Sequence, residues 1–376
     1  MIATVAARGL LVVATLALAC GGAACGSNAL SVGGAPADAA VTPDAAVTPD
    51  AATPDAAATP DAAATPDAAD DTPRFPQETT WYACGMIGRF EFLFAMAASP
   101  DGRTLAAGNA KMTFWDLRAG HVLFEISTDG GLKPSFSRDS TLIGLTGDAR
   151  SIWRTVDGKE VTGLEYPGLK CATWASGAAF AADNRTLALG TCSTVEIYST
   201  GDGRTLRTLP SHMWSPGVAF SPDGRWLATS GPELWHADGS ARVWPATLVN
   251  GPTASAYAFD VVTDNSAVFS PDGETLLVSN ARSQLGDNRF EMSTQLLRVA
   301  DGSVLRDFGA TLARRPSFSP DGAWLAAGGR VLHLATDTAV TLEGTIVLST
   351  FLPDGRIAAA DKDGVVRLFC PARLLL

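Results

Sequence analysis

Four histidines, His121, His212, His236 and His333, are the only imidazoles in the 376-residue chain, and their spacing matches no metal-ligand pattern. No G-x-S-x-G nucleophile elbow, glycine-rich phosphate loop or HExxH pair is present. Carboxylates are plentiful, but nearly all fall in Asp-Gly or related turn dipeptides, so no general acid/base pair stands out. The stretch "DKDG", Asp361 to Gly364, has oxygen donors of the kind a cation takes, yet its place in the repeat described below reads as a turn. The expectation is a protein without catalytic residues, cofactor or metal, in which architecture rather than reactive side chains carries function.

That architecture is written as a repeat. A turn aspartate recurs at Asp101 ("ASPDGRTLAAG"), Asp139, Asp183, Asp223 ("FSPDGRWLATSG"), Asp272, Asp321 and Asp354, with successive spacings of 38, 44, 40, 49, 49 and 33 residues. In each unit an apolar strand enters a tight reversal, and a strand rich in alanine and leucine leaves it. A third strand follows, as in "KMTFWDL", "RSIWRTV", "STVEIYS", "SARVWPA" and "GVVRLFC". A further turn such as "VDGKEV", "GDGRTL" or "ADGSVL" leads to a fourth. Seven units of about forty residues, each with four antiparallel strands, predict an all-β, seven-bladed β-propeller over residues 79–376, an architecture that leaves no long exposed edge.

The repeat resembles that of WD-repeat propellers. The most specific likeness is Asp-Gly followed after four residues by an aromatic, "DGSARVW" from Asp238 to Trp244 and "DGVVRLF" from Asp363 to Phe369. The resemblance implies that His212, Ser230, Asp238 and Trp244 form the family's structural hydrogen-bond tetrad in blade four. Only Trp115-Asp116 keeps the name-giving dipeptide. Trp115, Trp153 and Trp244 align on third strands as core residues, whereas Trp226 and Trp324 follow Asp-Gly turns and should pack between blades. Trp174, Trp214 and Trp235 fall near loops on one rim, the face that such propellers use for binding, and are the candidate contact residues. Two insertions, Leu248 to Asp264 and Ser279 to Met292, enlarge blade five, and loops on a rigid scaffold commonly carry function.

Two cysteine pairs fit the repeat register. Cys171 and Cys192 occupy the blade-three places of the family's histidine and aspartate, so a bridge there would replace that hydrogen bond. Cys84 stands seventeen residues before Asp101, as Leu206 does before Asp223, and Cys370 follows Phe369 as Ser199 follows Tyr198. If the N-terminal strand completes blade seven, Cys84 and Cys370 face each other across the closing strands. A clasp around nearly the whole domain is worth about 4 to 5 kcal/mol in the chain-entropy account.

The front of the chain is of another kind. Met1 to Ala19 has one charge, Arg8, and the apolar run "GLLVVATLALA", the length of a signal-peptide core and too short to span a bilayer. The run ends in "ALAC", which resembles the lipobox of bacterial lipoproteins with Cys20 as the acylated residue, although Ala17 stands where that family usually has Leu. Residues 20–78 then hold the anchor site and a linker, "VTPDAAVTPDAATPDAAATPDAAATPDAAD", with almost nothing to bury and therefore too little to offset ordering entropy. Eight aspartates in the linker carry most of the net charge of −11. Setting them and Arg8 aside leaves −4 for residues 72–376, with no basic excess of the kind nucleic acid attracts.

The expectation is an exported, membrane-anchored lipoprotein of the bacterial cell envelope, at the periplasm or outer surface. It should be monomeric, holding out a non-catalytic propeller toward a protein or peptide partner. Alternatives are a lactonase-like or quinoprotein-like propeller enzyme, which needs charged residues converging in the central channel, and a TolB-like accessory subunit, whose similar "FSPDG" repeats form six blades.

Overall fold

The computed structural model describes residues 80–372 apart from 91–92, 94, 110, 128–132, 147–149, 166–176, 192–193, 212–215, 245–265, 284–289 and 313–314. Strand β1 (Trp81–Arg89) precedes blade one, which is β2 (Ala95–Ala98), β3 (Thr104–Gly108), β4 (Lys111–Asp116) and β5 (His121–Ser127). Blade two is β6 (Lys133–Phe136), β7 (Leu142–Thr146), β8 (Ser151–Arg154) and β9 (Glu160–Gly163). Blade three is β10 (Gly177–Phe180), β11 (Thr186–Thr191), β12 (Thr194–Ser199) and β13 (Thr205–Pro210). Blade four has β14 (Val218–Phe220), β15 (Trp226–Thr229) and β16 (Glu233–His236), and a single bridge from Trp235 to Arg242 stands for its fourth strand. Blade five is β17 (Ser266–Phe269), β18 (Thr275–Ser283), β19 (Phe290–Arg298) and β20 (Val304–Gly309). Blade six is β21 (Ser317–Phe318), β22 (Trp324–Ala327), β23 (Arg330–His333) and β24 (Ala339–Thr341). Blade seven is β25 (Ile346–Phe351), β26 (Ile357–Asp361) and β27 (Val365–Pro371), completed by β1 on its outer edge. The architecture is thus an all-β propeller of seven antiparallel blades, one more than the TolB-like reading requires.

Apolar residues form seven separate clusters, one at each junction between blades. Ala106, Phe114 and Ile143 belong to the junction of blades one and two, and Leu277, Phe318 and Leu325 to that of five and six. Small side chains on the second strands let neighbouring sheets approach, and Ala106, Ala188, Ala228, Ala326 and Ala359 are all fully buried. A blade has little core of its own; its apolar area is removed from water by its neighbours, at about 25 cal/mol per Å².

The recurring Ser-x-Asp-Gly sequence builds one turn seven times with small variations. In blade four, Ser221 Oγ donates to Asp223 at 2.6 Å, Asp223 accepts the Arg225 N–H at 3.0 Å, and Ser221 Oγ accepts the Trp226 N–H at 2.9 Å. The residue after the aspartate has a left-handed backbone, which glycine adopts without a Cβ clash: Gly224 has φ 74°. Ser140 (φ 61°) and Asn184 (φ 59°) hold that place in blades two and three, and each contacts the turn one blade earlier. Ser140 Oγ accepts the Asp101 N–H at 3.0 Å, and Asn184 Oδ1 accepts the Arg138 N–H at 2.8 Å. These turns therefore touch one another around the axis.

Closure is made by the N-terminal strand. β1 pairs antiparallel with β27, with Tyr82 opposite Cys370 and Ala83 opposite Phe369, and a bulge then leaves Cys84 unpaired. The same bulge leaves Leu206 unpaired between β12 and β13, so Cys84 occupies the position that Leu206 holds in blade three. A disulfide joins Cys84 to Cys370, with Cα atoms 5.7 Å apart and a sequence separation of 286. Trp81 enters the junction of blades six and seven beside Trp324, Phe351 and Phe369, and its indole N–H donates to the Gly355 carbonyl at 3.3 Å. Cys171, Cys192 and Cys20 lie outside the described residues.

Blade four departs from the expected register. Its third strand is "ELWH", not "SARVWPA", because Ser230 to Pro232 already make the turn between β15 and β16. Asp238-Gly239 consequently falls in the next turn, toward the vestigial fourth strand. The expected tetrad does not form: Asp238 is exposed and accepts the Ser240 N–H, Ser230 Oγ accepts the Gly217 N–H, and Trp244 donates to the Val299 carbonyl at 3.0 Å. His212 is outside the described residues. Trp235, opposite Leu227, takes the column held by Trp115 opposite Leu105, and Trp244 instead enters the junction of blades four and five.

Two glycines with the same backbone separate the cost of left-handedness from the cost of crowding between blades. Gly203 (φ 71°) has the Gly163 carbonyl oxygen of blade two 2.1 Å from where a Cβ would stand, whereas Gly120 (φ 69°) has nothing within 4 Å. Gly120→Ala should cost about 1 kcal/mol, and Gly203→Ala at least about 2 kcal/mol more. Urea unfolding of the two variants measures the difference, and equal losses would contradict tight contact between blades two and three.

Candidate functional site

Each blade presents two ends. At one lie the turns from first to second strand and from third to fourth; at the other lie the hairpins from second to third strand and the connections between blades. Among the described residues the hairpin end has one outsized member; the expected insertion Leu248 to Asp264 lies outside them. β18 and β19 pair from Thr275 opposite Arg298 out to Ser283 opposite Phe290, nine pairs, where β11 and β12 make six. The insertion expected as a loop between Ser279 and Met292 is therefore largely a continued ladder. At its base Ser279 and Thr294 are buried with their hydroxyls 2.8 Å apart, and the pairs beyond them carry the hairpin past the body of the blade.

The other expected contact residues separate. Trp174 and Trp214 lie outside the described residues. Trp235 is 8% exposed and packs with Leu227, Val218 and Ile197 between blades three and four, so it is a core residue rather than a rim contact. The Arg242 guanidinium covers its ring at 4.8 Å and pairs with buried Glu233 at 3.2 Å. Between blades two and three, Arg150 and Glu196 form a buried pair at 3.4 Å, and the Tyr198 hydroxyl donates to Glu196. Burial, followed by the Glu196 carboxylate, pushes the Tyr198 phenol far above its ordinary value. These groups tie strands together and present no nucleophile or free base.

Ionisable groups are sparse where channel chemistry would need them. First strands of successive blades touch one another, as β2 touches β6 and β25, and β10 touches β6 and β14. Among the described residues, β2, β6, β10, β14, β17, β21 and β25 contribute a single ionisable side chain, Lys133. "DKDG" is the turn from β26 to β27. Asp361 Oδ1 accepts the Asp363 and Val365 N–H groups, each at 2.9 Å, and Oδ2 accepts Arg367 at 2.6 Å. Burial disfavours its charge, but the Val365 N–H and Arg367 outweigh that and hold the pKa down.

Among the described residues the turn end carries paired charges and a depression. Arg225, His236, Ala237, Asp238 and Ser240 surround an open hollow of about 270 Å³ on blade four. Trp226 and His236 lie across from each other on β15 and β16 with ring centroids 5.2 Å apart, and Arg225 sits 5.9 Å from the Trp226 ring. Asp223 accepts Arg225 Nε at 2.5 Å. Sequence reasoning placed Trp226 between blades and missed its pairing with His236. The signal was present, since both Trp226 and Trp324 stand three residues after a turn aspartate, with a histidine nine or ten residues on.

Comparison with known proteins agrees with this geometry. Residues 203–245, from the last turn of blade three to the end of blade four, match the family model described as "WD domain, G-beta repeat". The chain is a seven-bladed propeller in which the segment 203–245 matches a WD-type repeat. Among solved structures it is similar to the hydrazine synthase of Kuenenia stuttgartiensis, with a TM-score of 0.54 and 18% identity, over 80% of this chain and 99% of that one. At that identity the likeness is one of fold. No curated protein sequence matches.

The turn aspartates give the fold an acid limit. The Ser221 hydroxyl, then the Arg225 N–H, lower the Asp223 pKa from 3.8 to about 2. Asp238 and Asp301 are lowered by the Ser240 and Ser303 side chains, and Asp116 by the Ala119 and Arg118 N–H groups. Because the folded pKa lies below the unfolded one, Asp223 contributes its full stabilisation above pH 3.8 and loses it as pH falls through about 2. Ser221→Ala should bring the Asp223 carboxyl titration, followed by NMR, back toward 3.8 and make unfolding less pH-dependent in that window. An unchanged titration would show that the serine does not hold the turn.

Proposed function

We propose that this protein is a non-catalytic binding scaffold whose hairpin end, with the blade-five hairpin as its principal specificity element, receives a protein or peptide partner in the bacterial cell envelope. The observation that carries this reading is the β18–β19 ladder, extended past its neighbours on a rigid seven-bladed frame. The WD-type repeat supports protein interaction, a common use of such propellers. A single ionisable side chain on the innermost strands gives an acid/base reaction in the channel little to work with.

The address belongs to the same proposal. The apolar leader, Cys20 in "ALAC" and the Thr-Pro-Asp-Ala linker suit an exported lipoprotein, and the linker gives a reach of roughly 100 Å at about 3 Å per residue. A monomer held on such a tether needs no second copy to present its face.

The test is cross-linking in living cells, followed by capture and identification of attached proteins. The full chain is compared with a variant in which Asn280 is joined to Ser293 through Asn-Gly. This trim keeps the buried Ser279–Thr294 contact and removes only the extension. A recurrent partner of the full chain, lost from the trimmed one, is expected. A partner retained undiminished by the trimmed chain would refute the role of the hairpin.

A further inference from the structure

Blades four and six carry the same cross-strand pair in two states. Trp226 opens β15 opposite His236, the last residue of β16, and Trp324 opens β22 opposite His333, the last residue of β23. In blade six a third aromatic covers the pair. Trp81, from the outer strand of blade seven, stands edge-on to Trp324 at 4.9 Å and 82°, and Trp324 and His333 are both buried. The Trp81 indole N–H is satisfied by the Gly355 carbonyl.

Among the described residues no third aromatic covers the blade-four pair, for a reason that lies in connectivity. β1 begins as a separate strand, so an aromatic fits at its start. β20 is joined to β19 by a tight turn, and when Cys84 and Leu305 are matched as the bulge residues, the counterpart of Trp81 is Gly302. Gly302 has φ 71° and no side chain to offer. Trp226 is accordingly only partly buried, His236 is exposed, and the hollow opens beside them.

We propose that this hollow receives an aromatic side chain bearing a hydrogen-bond donor, tryptophan or tyrosine, from a partner polypeptide. Trp81 against Trp324 is the intramolecular precedent for an aromatic partner, although the hollow itself is lined by His236 and Arg225 rather than by Trp226. Arg225 and His236 offer two flat cationic or aromatic surfaces, and edge-on or stacked contact with such groups is how aromatic anchors gain affinity. Asp223 accepts Arg225 Nε, which favours one placement of this largely exposed side chain. Asp238, anchored to the Ser240 N–H at 2.8 Å, supplies an acceptor from blade four's own turn, a different place from the Gly355 carbonyl that Trp81 uses. At about 270 Å³ the hollow suits one side chain, since sites for drug-sized molecules begin near 300 Å³. It lies at the turn end, opposite the blade-five hairpin, and does not rest on the function proposed for that hairpin.

The test uses the folded full chain and the tripeptide acetyl-Gly-Trp-Gly-amide, with acetyl-Gly-Leu-Gly-amide as control. NMR follows the Trp226 indole and His236 ring resonances. Saturable shifts are expected with the tryptophan peptide, with a dissociation constant on the order of a millimolar, and none with the leucine peptide. Arg225→Ala and His236→Ala, both at exposed positions, should each weaken binding at least about fivefold while thermal unfolding shows the fold retained. The hairpin-trimmed chain should bind the tripeptide as the full chain does, which separates this site from the other. Absence of a saturable shift, an equal response to the leucine peptide, or undiminished binding by both variants would overturn the proposal.

Discussion

Contact between one blade and the next is the interaction on which this structure depends. A four-stranded sheet is too thin to bury its own apolar residues, and here every cluster is shared by two blades, as Leu105 and Ala358 are shared by blades one and seven. Such a stack is complete only when its last face meets its first. The ring form follows from that requirement, and so does the importance of β1: it covers the outer edge of β27 and brings Trp81 into the six–seven junction. The Cys84–Cys370 bond then limits how far an opened chain can spread, a restraint on the unfolded state on the order of 5 kcal/mol.

The same close approach explains the turns. Where the third-to-fourth turn of one blade meets the fourth strand of the previous one, Gly158 sits against Phe124 and Gly203 against Gly163, too near for any Cβ. Where first-to-second turns converge around the axis, prolines and small residues alternate, and Gly273 and Gly322 each face the proline of the preceding turn. Arg138 is the exception, sending its guanidinium to the Pro222 carbonyl two blades away. Repetition in the sequence is therefore the trace of one contact geometry imposed seven times.

That trace made the blade count legible, because each turn must supply an aspartate and a left-handed residue at a fixed point. Cys84 and Cys370 were legible for a related reason: the bulge that frees Leu206 in blade three frees Cys84 at the closure. Blade four was misread because two tryptophans compete for one column. Trp244 has the family spacing from Asp238, but the three-residue turn at Ser230 to Pro232 lets Trp235 reach the core first. The blade-five ladder was read as a loop because its added residues, such as Asn280 and Arg282, lack the apolar alternation that marks a strand. The Trp226–His236 pair was missed because its signal, a histidine nine or ten residues after the tryptophan, shows only when blades four and six are compared and the cross-strand register is known.

A closed ring also gives function its setting, since loops and hollows can vary on a frame that does not. The most direct test of closure compares urea unfolding of a chain beginning at residue 80 with one beginning at residue 91, both oxidised. The account predicts that the shorter chain, lacking Trp81 and the clasp, unfolds several kcal/mol more easily, with Trp324 fluorescence already that of a solvated indole in native buffer. Identical midpoints and identical Trp324 emission would show that blade seven is complete without β1 and would contradict the account.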